Sequence, residues 1–156
     1  MKIGRVALTE FPIVANFPLH WGDQDAFGHV NNTVYLRWCE TARVEYLIRV
    51  GLWPPLPPDG IAPILASIVC DYRRPLTYPD TVHVGTRVTG IGNSSFTMQH
   101  HIISETLGTL AAEVSSVLVV LDFSRNETVP VPGNVRKGIE QLEGRTLKSV
   151  PKKTRT

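Results

Sequence analysis

Residues 21–46 read WGDQDAFGHVNNTVYLRWCETARVEY and hold the groups best placed to do chemistry. Asp25 lies six residues before Asn31, where a helical pattern begins, and Gly28 lets the intervening loop turn back toward it. A helix start offers unpaired backbone N–H groups and the positive end of the macrodipole. A carboxylate facing such donors suits reaction at a carbonyl. The carboxylate serves as nucleophile or general base, and the N–H groups hold the developing oxyanion. Each residue also has an ordinary structural reading. Asp23 and Asp25 are good turn formers around Gly28. His29 either orients reacting groups or satisfies loop backbone. Asn31 or Asn32 suits the N-cap, and Asn32 is more useful through its N–H than through its side chain. Tyr35 is core or pocket wall. Glu40 either reaches a bound group or pairs with Arg43 at i,i+3. Arg43 falls inside the apolar arc of the helix and must find a partner.

Other catalytic templates are missing. Ser94 and Ser95 are not part of a G-x-S-x-G elbow, and neither G-x-x-x-x-G-K nor G-x-G-x-x-G occurs. His100 and His101 are adjacent on a strand pattern and point to opposite faces, so they cannot pair on a metal. Cys39 and Cys70 have no metal-ligand spacing and are too few for a disulfide framework. No metal site is expected.

The elements that must position residues 21–46 follow from periodicity. Residues 11–22 alternate loosely and predict a first strand. Thr33 to Val50 predicts a helix, stopped by Gly51 and the run Pro54, Pro55, Pro57, Pro58. Tyr35, Cys39, Ala42, Tyr46 and Val50 share one arc, flanked by Leu36, Trp38 and Leu47. Val44 and Ile48 lie opposite, so the helix is expected to be enclosed on nearly every side. Strands are predicted over Ile61–Tyr72, Thr81–Ile91, Ser95–Ser104 and Thr109–Phe123, and a short helix over Val131–Glu143. The loops GNS and ETLG are too short for parallel crossovers, so these strands form antiparallel hairpins. The class is α+β, with a long antiparallel sheet curled around one helix. Such a sheet leaves unpaired edge strands, which dimerisation can remove.

At 156 residues, the chain buries on the order of 70% of its unfolded surface without needing staples. It is 42% hydrophobic and 19% charged, which excludes disorder over its whole length. No apolar run approaches the roughly 18 residues of a membrane span. Glu10, Pro12, Asn16 and Pro18 interrupt the N-terminus, so no signal peptide is expected. The net charge of +2 hides an asymmetry. Lys148, Lys152, Lys153 and Arg155 give the last nine residues +4, leaving −2 for residues 1–147. Four charges without aromatic residues make a weak phosphate-binding surface. Residues 148–156 are therefore expected to be a flexible basic tail on one domain over 1–147. No nucleic acid partner or membrane insertion is expected, and the location is cytoplasmic.

Taken together, Asp23, Asp25, Gly28, His29, Val30, Asn31, Asn32 and Tyr35, with Glu40, Ala42 and Arg43 on the helix, form a signature. It resembles that of the hotdog-fold acyl-CoA thioesterases of the 4-hydroxybenzoyl-CoA thioesterase-like family, D-x-D-x-x-G-H-V-N-N-x-x-Y followed by E-x-A-R. The likeness continues through Tyr72-Arg73-Arg74-Pro75 and Leu121-Asp122. The resemblance implies a hotdog fold and hydrolysis of an acyl-CoA to free acid and CoA. Asp25 would be the catalytic carboxylate, with His29 and Asn32 beside it. Tyr35 and Glu40 would line the substrate pocket. Ser94 and Ser95 would touch pantetheine or phosphate, although a plain β-turn is the better explanation of them. It also implies a homodimer or dimer of dimers, and no cofactor beyond the CoA of the substrate. Two other readings stay open: a module that binds acyl-CoA or acyl carrier protein without turnover, and a hotdog hydratase or dehydratase.

Overall fold

A computed structural model describes residues 2–3, 6–53 and 60–149. Its one long helix, α1 (Asn32–Arg49), starts where its cap dictates. Asn31 is the N-cap, its side chain accepting from the Thr33 N–H at 3.0 Å. The chain leaves α1 through Gly51 at φ 76°, a left-handed conformation that glycine adopts without strain. The Pro-rich run, Pro54 to Pro58, lies outside the described residues.

Around α1 run the strands β3 (Ile13–Pro18), β4 (Ile61–Tyr72), β5 (Thr81–Ile91), β6 (Ser95–Ser104) and β7 (Thr109–Asp122). Every pairing is antiparallel, in the order β3-β5-β6-β7-β4, and the short β8 (Glu127–Thr128) adds to β7. The curled antiparallel sheet expected from the short loops is therefore present. β3 ends earlier than the expected 22, because Trp21–Asp23 coil into a 3-10 turn. A small separate ladder pairs β1 (Lys2–Ile3) with β2 (Val6–Ala7), which periodicity did not indicate.

One stripe of α1 faces the sheet. Tyr35, Trp38, Cys39 and Ala42 pack with Val82, Val84, Ile102 and Val114. Farther along, Tyr46, Leu47 and Val50 pack with Val88, Phe96, Met98 and Leu118. The expectation that α1 is enclosed on nearly every side is corrected: Arg37 and Glu40 are exposed, and Ile48 is 57% exposed. A sheet curled over one face leaves the other open.

The second helix, α2 (Gly133–Glu143), closes the far end of the core with Val135 and Ile139. Its last residue anchors it. Glu143 Oε1 accepts from the Tyr46 hydroxyl at 2.6 Å and from the Val88 N–H at 2.7 Å, beside the bulge where β5 slips register on β6. Of the basic tail, Lys148 and Ser149 are described, and the Lys148 carbonyl accepts from Ile91 N. The remaining residues, 150–156, lie outside the described part.

Glu143→Ala leaves two donors unpaired, one of them on a fully buried tyrosine. It should cost about 2–4 kcal/mol in chemical denaturation, from the roughly 1–3 kcal/mol of each orphaned buried group.

Candidate active site

The loop between β3 and α1 is held by its own backbone. Asp25 N donates to the His29 carbonyl at 2.9 Å, and Gly28 N donates back to the Asp25 carbonyl at 3.0 Å. The Asp25 side chain closes the turn by accepting from Phe27 N at 2.9 Å. Gly28 completes it at φ 79°, where a side chain would be strained. Asp23 works differently. Its carboxylate accepts from His20 N at 2.8 Å and its carbonyl accepts from Asn31 N at 2.9 Å, tying the loop to the start of α1.

Long-range bonds then press this loop against the segment after β4. Val30 N donates to the Leu76 carbonyl at 2.8 Å, and Gln24 Oε1 accepts from Tyr78 N at 3.0 Å. Between loop and segment opens a groove of about 420 Å³, lined by Asp25, His29, Asn32, Tyr35, Tyr72 and Arg74. The Thr33 and Val34 N–H groups are already taken by Asn31. Asn32 lines the groove, and its N–H is not among those taken.

Aromatic residues form one wall. Tyr72 donates its hydroxyl to the Asn32 carbonyl at 2.9 Å, and Tyr35 donates to the Arg74 carbonyl at 3.3 Å. Their rings meet edge to face at 5.0 Å. Tyr35 is both core and pocket wall: it is 3% exposed, yet it borders the groove. Burial pushes its hydroxyl up to about 12, so it stays protonated as a donor. Cys39 is likewise pushed up to about 12 by burial and remains a thiol, unsuited to attack.

The sequence-derived site residues thus divide. Asp25, His29, Asn32 and Tyr35 share the groove. Glu40 lies farther along α1, in a different cleft with Arg43. The two do not form the expected i,i+3 ion pair: Arg43 Nε and Nη2 are buried without a partner among the described residues. Ser94 and Ser95 sit in the β5–β6 turn, where the Ser94 carbonyl accepts from Val120 N and the Ser95 carbonyl from Gly92 N. That turn is at the opposite end of β5 from the groove, about 35 Å of strand away. Tyr72 and Arg74 were visible beforehand only through the Tyr-Arg-Arg-Pro likeness. Among the described residues, no three His, Cys, Asp or Glu side chains gather as metal donors. No described helix is long and apolar enough to cross a membrane.

Known proteins resemble this chain over most of its length. Residues 19–139 match the family model described as thioesterase-like superfamily. The long-chain acyl-CoA thioesterase FadM of Escherichia coli (strain K12) is 25% identical over 118 residues, which are 76% of this chain and 89% of FadM. A thioesterase from Thermus thermophilus, solved in complex with coenzyme A and Zn, superposes with a TM-score of 0.78 at 36% identity, covering 89% of this chain and 99% of its own. The gentisyl-coenzyme A thioesterase BH1999 gives 0.70 at 27% identity, covering 81% and 98%. The two solved structures share the fold of this chain, which is the hotdog fold.

The turn that presents Asp25 depends on the left-handed Gly28. Gly28→Ala should cost about 1–2 kcal/mol of stability from strain alone. Catalysis should suffer more than folding, and comparing the denaturation midpoint with kcat on one preparation checks this.

Proposed function

The chain belongs to the thioesterase-like superfamily, a family of thioester hydrolases, and from that premise we propose that it hydrolyses an acyl-CoA with Asp25 as its catalytic carboxylate. The observation that carries this reading is the pinned loop. Asp25 and Asn32 line one groove, with the aromatic wall of Tyr35 and Tyr72 beside them. A thioester carbonyl set between them meets base or nucleophile on one side and an oxyanion donor on the other. With Asp25 as general base, a water loses its proton to the carboxylate and adds to the carbonyl carbon. The C–S bond then breaks, and the CoA sulfur takes the proton back. With Asp25 as nucleophile, its oxygen forms a mixed anhydride, CoA thiolate leaves, and water hydrolyses the anhydride. Either course ends in free acid and CoA. His29, exposed at the rim, orients the thioester in this reading.

The assembly is part of the same proposal. β4 is an edge strand that bonds only β7 among the described strands. It presents Ile61, Leu65, Val69 and Tyr72, each 44–58% exposed. An apolar edge of this kind is a ready pairing surface. A homodimer, or a dimer of dimers, is the arrangement that covers it. Contact of Ser94 and Ser95 with pantetheine or phosphate requires a second copy to bring that hairpin to the groove. A cytoplasmic location, supported by the free thiols of Cys39 and Cys70, completes the reading.

Asp25→Asn keeps the size of the side chain and removes its charge. Turnover on the best thioester of a panel from acetyl to palmitoyl and benzoyl should fall by roughly 10²- to 10⁴-fold, with KM little changed. Asp23→Asn, whose carboxylate only ties His20, should be milder. A folded Asp25→Asn enzyme with undiminished turnover would remove Asp25 from the mechanism and favour a binding module. Separately, sedimentation velocity should show a dimer or larger species, and a fully active monomer would refute the assembly.

A further inference from the structure

The buried polar groups that hydrolysis leaves unused gather beneath α1. Arg43 is 7% exposed, and its Nε and Nη2 have no hydrogen-bond partner among the described residues. On the inner face of the sheet, His100 is fully buried. Its Nδ1 lies 2.8 Å from Thr86 Oγ1, and its Nε2 is unpartnered. Burial, and after it the charge of Arg43, hold this histidine down to about 3, so the ring is neutral. Ser116 follows on the same face, paired with Met98 one step along β6 from His100, and its hydroxyl is unpartnered too.

A series of clefts leads from the groove residues to Arg43. One of about 590 Å³ is bordered by Asp25, Thr33 and Arg37. Thr33 and Arg37 also border a second of about 290 Å³, which continues to Glu40, Arg43 and Leu65. Those three border a third of about 240 Å³, closed by Leu47, Pro63 and Leu118. The walls are mainly apolar along the β4 side, and Arg43 borders the last two clefts. From Asn32 to Arg43 the helix rises about 16 Å. Long helical side chains lean back about one turn toward the N-terminus, leaving roughly 10 Å.

We propose that this series of clefts is the acyl channel, and that Arg43 is its specificity-determining residue, selecting acyl groups of about eight carbons with an acceptor oxygen at the far end, a hydroxyl or a second carboxylate. The proposal rests on the thioesterase reading above and names its substrate class. A methyl-ended chain entering the channel leaves the guanidinium buried and unpaired, which is costly. An oxygen-ended chain supplies the missing acceptor. Glu40 is exposed and leaves those donors unmet. Arg37, Glu40 and Arg43 together give the second cleft a formal charge of +1, which suits one carboxylate.

The test is kcat/KM on three CoA thioesters of equal length: octanoyl, ω-hydroxyoctanoyl and octanedioyl. The wild-type protein should prefer at least one oxygen-ended substrate to octanoyl by roughly tenfold or more, since a site built for a polar group rejects the analogue lacking it. Arg43→Met should bring that ratio to about one. Equal wild-type kcat/KM on all three overturns the proposal without any variant. So does a ratio that persists in folded Arg43→Met. Equal loss on all three in Arg43→Met, with a smaller sedimenting species, assigns the guanidinium to a second copy and also overturns it. If the wild type cleaves none of the three, nor S-octanoyl-N-acetylcysteamine, the thioesterase reading itself fails, and this inference fails with it.

Discussion

Everything in this molecule is arranged around the burial of one stripe of α1 against a curled antiparallel sheet. Tyr35, Cys39, Ala42 and Tyr46 are at most 3% exposed. Large apolar side chains in such positions contribute about 1.5–3 kcal/mol each on burial. The stripe fixes the rotation of the helix, and with it what each other face can do. The N-terminus is set beside the groove, where Asn31 caps it and Asn32 joins the lining. The C-terminal half is closed by α2 through Glu143. Were the helix turned by one residue, about 100°, Arg43 would leave the interior and Tyr35 would leave the wall of the groove.

Holding a carboxylate near a helix end requires more than the helix. The β3–α1 loop is short and polar, and it would wander without outside contacts. Here it is tied twice to the segment after β4, by Val30 to Leu76 and by Gln24 to Tyr78. Asp25 spends one carboxylate oxygen on its own turn. This bond orients the group and leaves the other oxygen for chemistry. A turn-forming role and a catalytic role are therefore compatible in one residue. Asp23, two positions earlier, is committed through both carboxylate and carbonyl to holding loop and helix together.

The packing of α1 on the sheet carries an unusual cost. Arg43, His100 and Ser116 all have buried polar atoms without partners among the described residues. Buried groups of this kind normally find partners, and a charged one is expensive to leave alone. The same logic separates this cluster from Glu143 and Tyr46, which are also deep but satisfy one another.

Local order was legible in the residues themselves. The i, i+3 and i, i+4 spacing from Tyr35 to Val50, an Asn cap and a Gly stop define α1. Alternation and loops of three or four residues define the antiparallel hairpins. The strand–loop–helix signature pointed to Asp25, His29, Asn32 and Tyr35, which do share the groove. Those features depend on near neighbours in the chain, and near neighbours leave a periodic trace. What the tertiary structure decided depends on distant partners that leave none. The Tyr72–Asn32, Glu143–Val88 and Gln24–Tyr78 bonds join residues 40 to 55 positions apart. The separation of Glu40 from Asp25, the failure of the Glu40–Arg43 pair and the open outer face of α1 have the same origin. Helical spacing says which residues share a face, and only packing says which face the sheet covers.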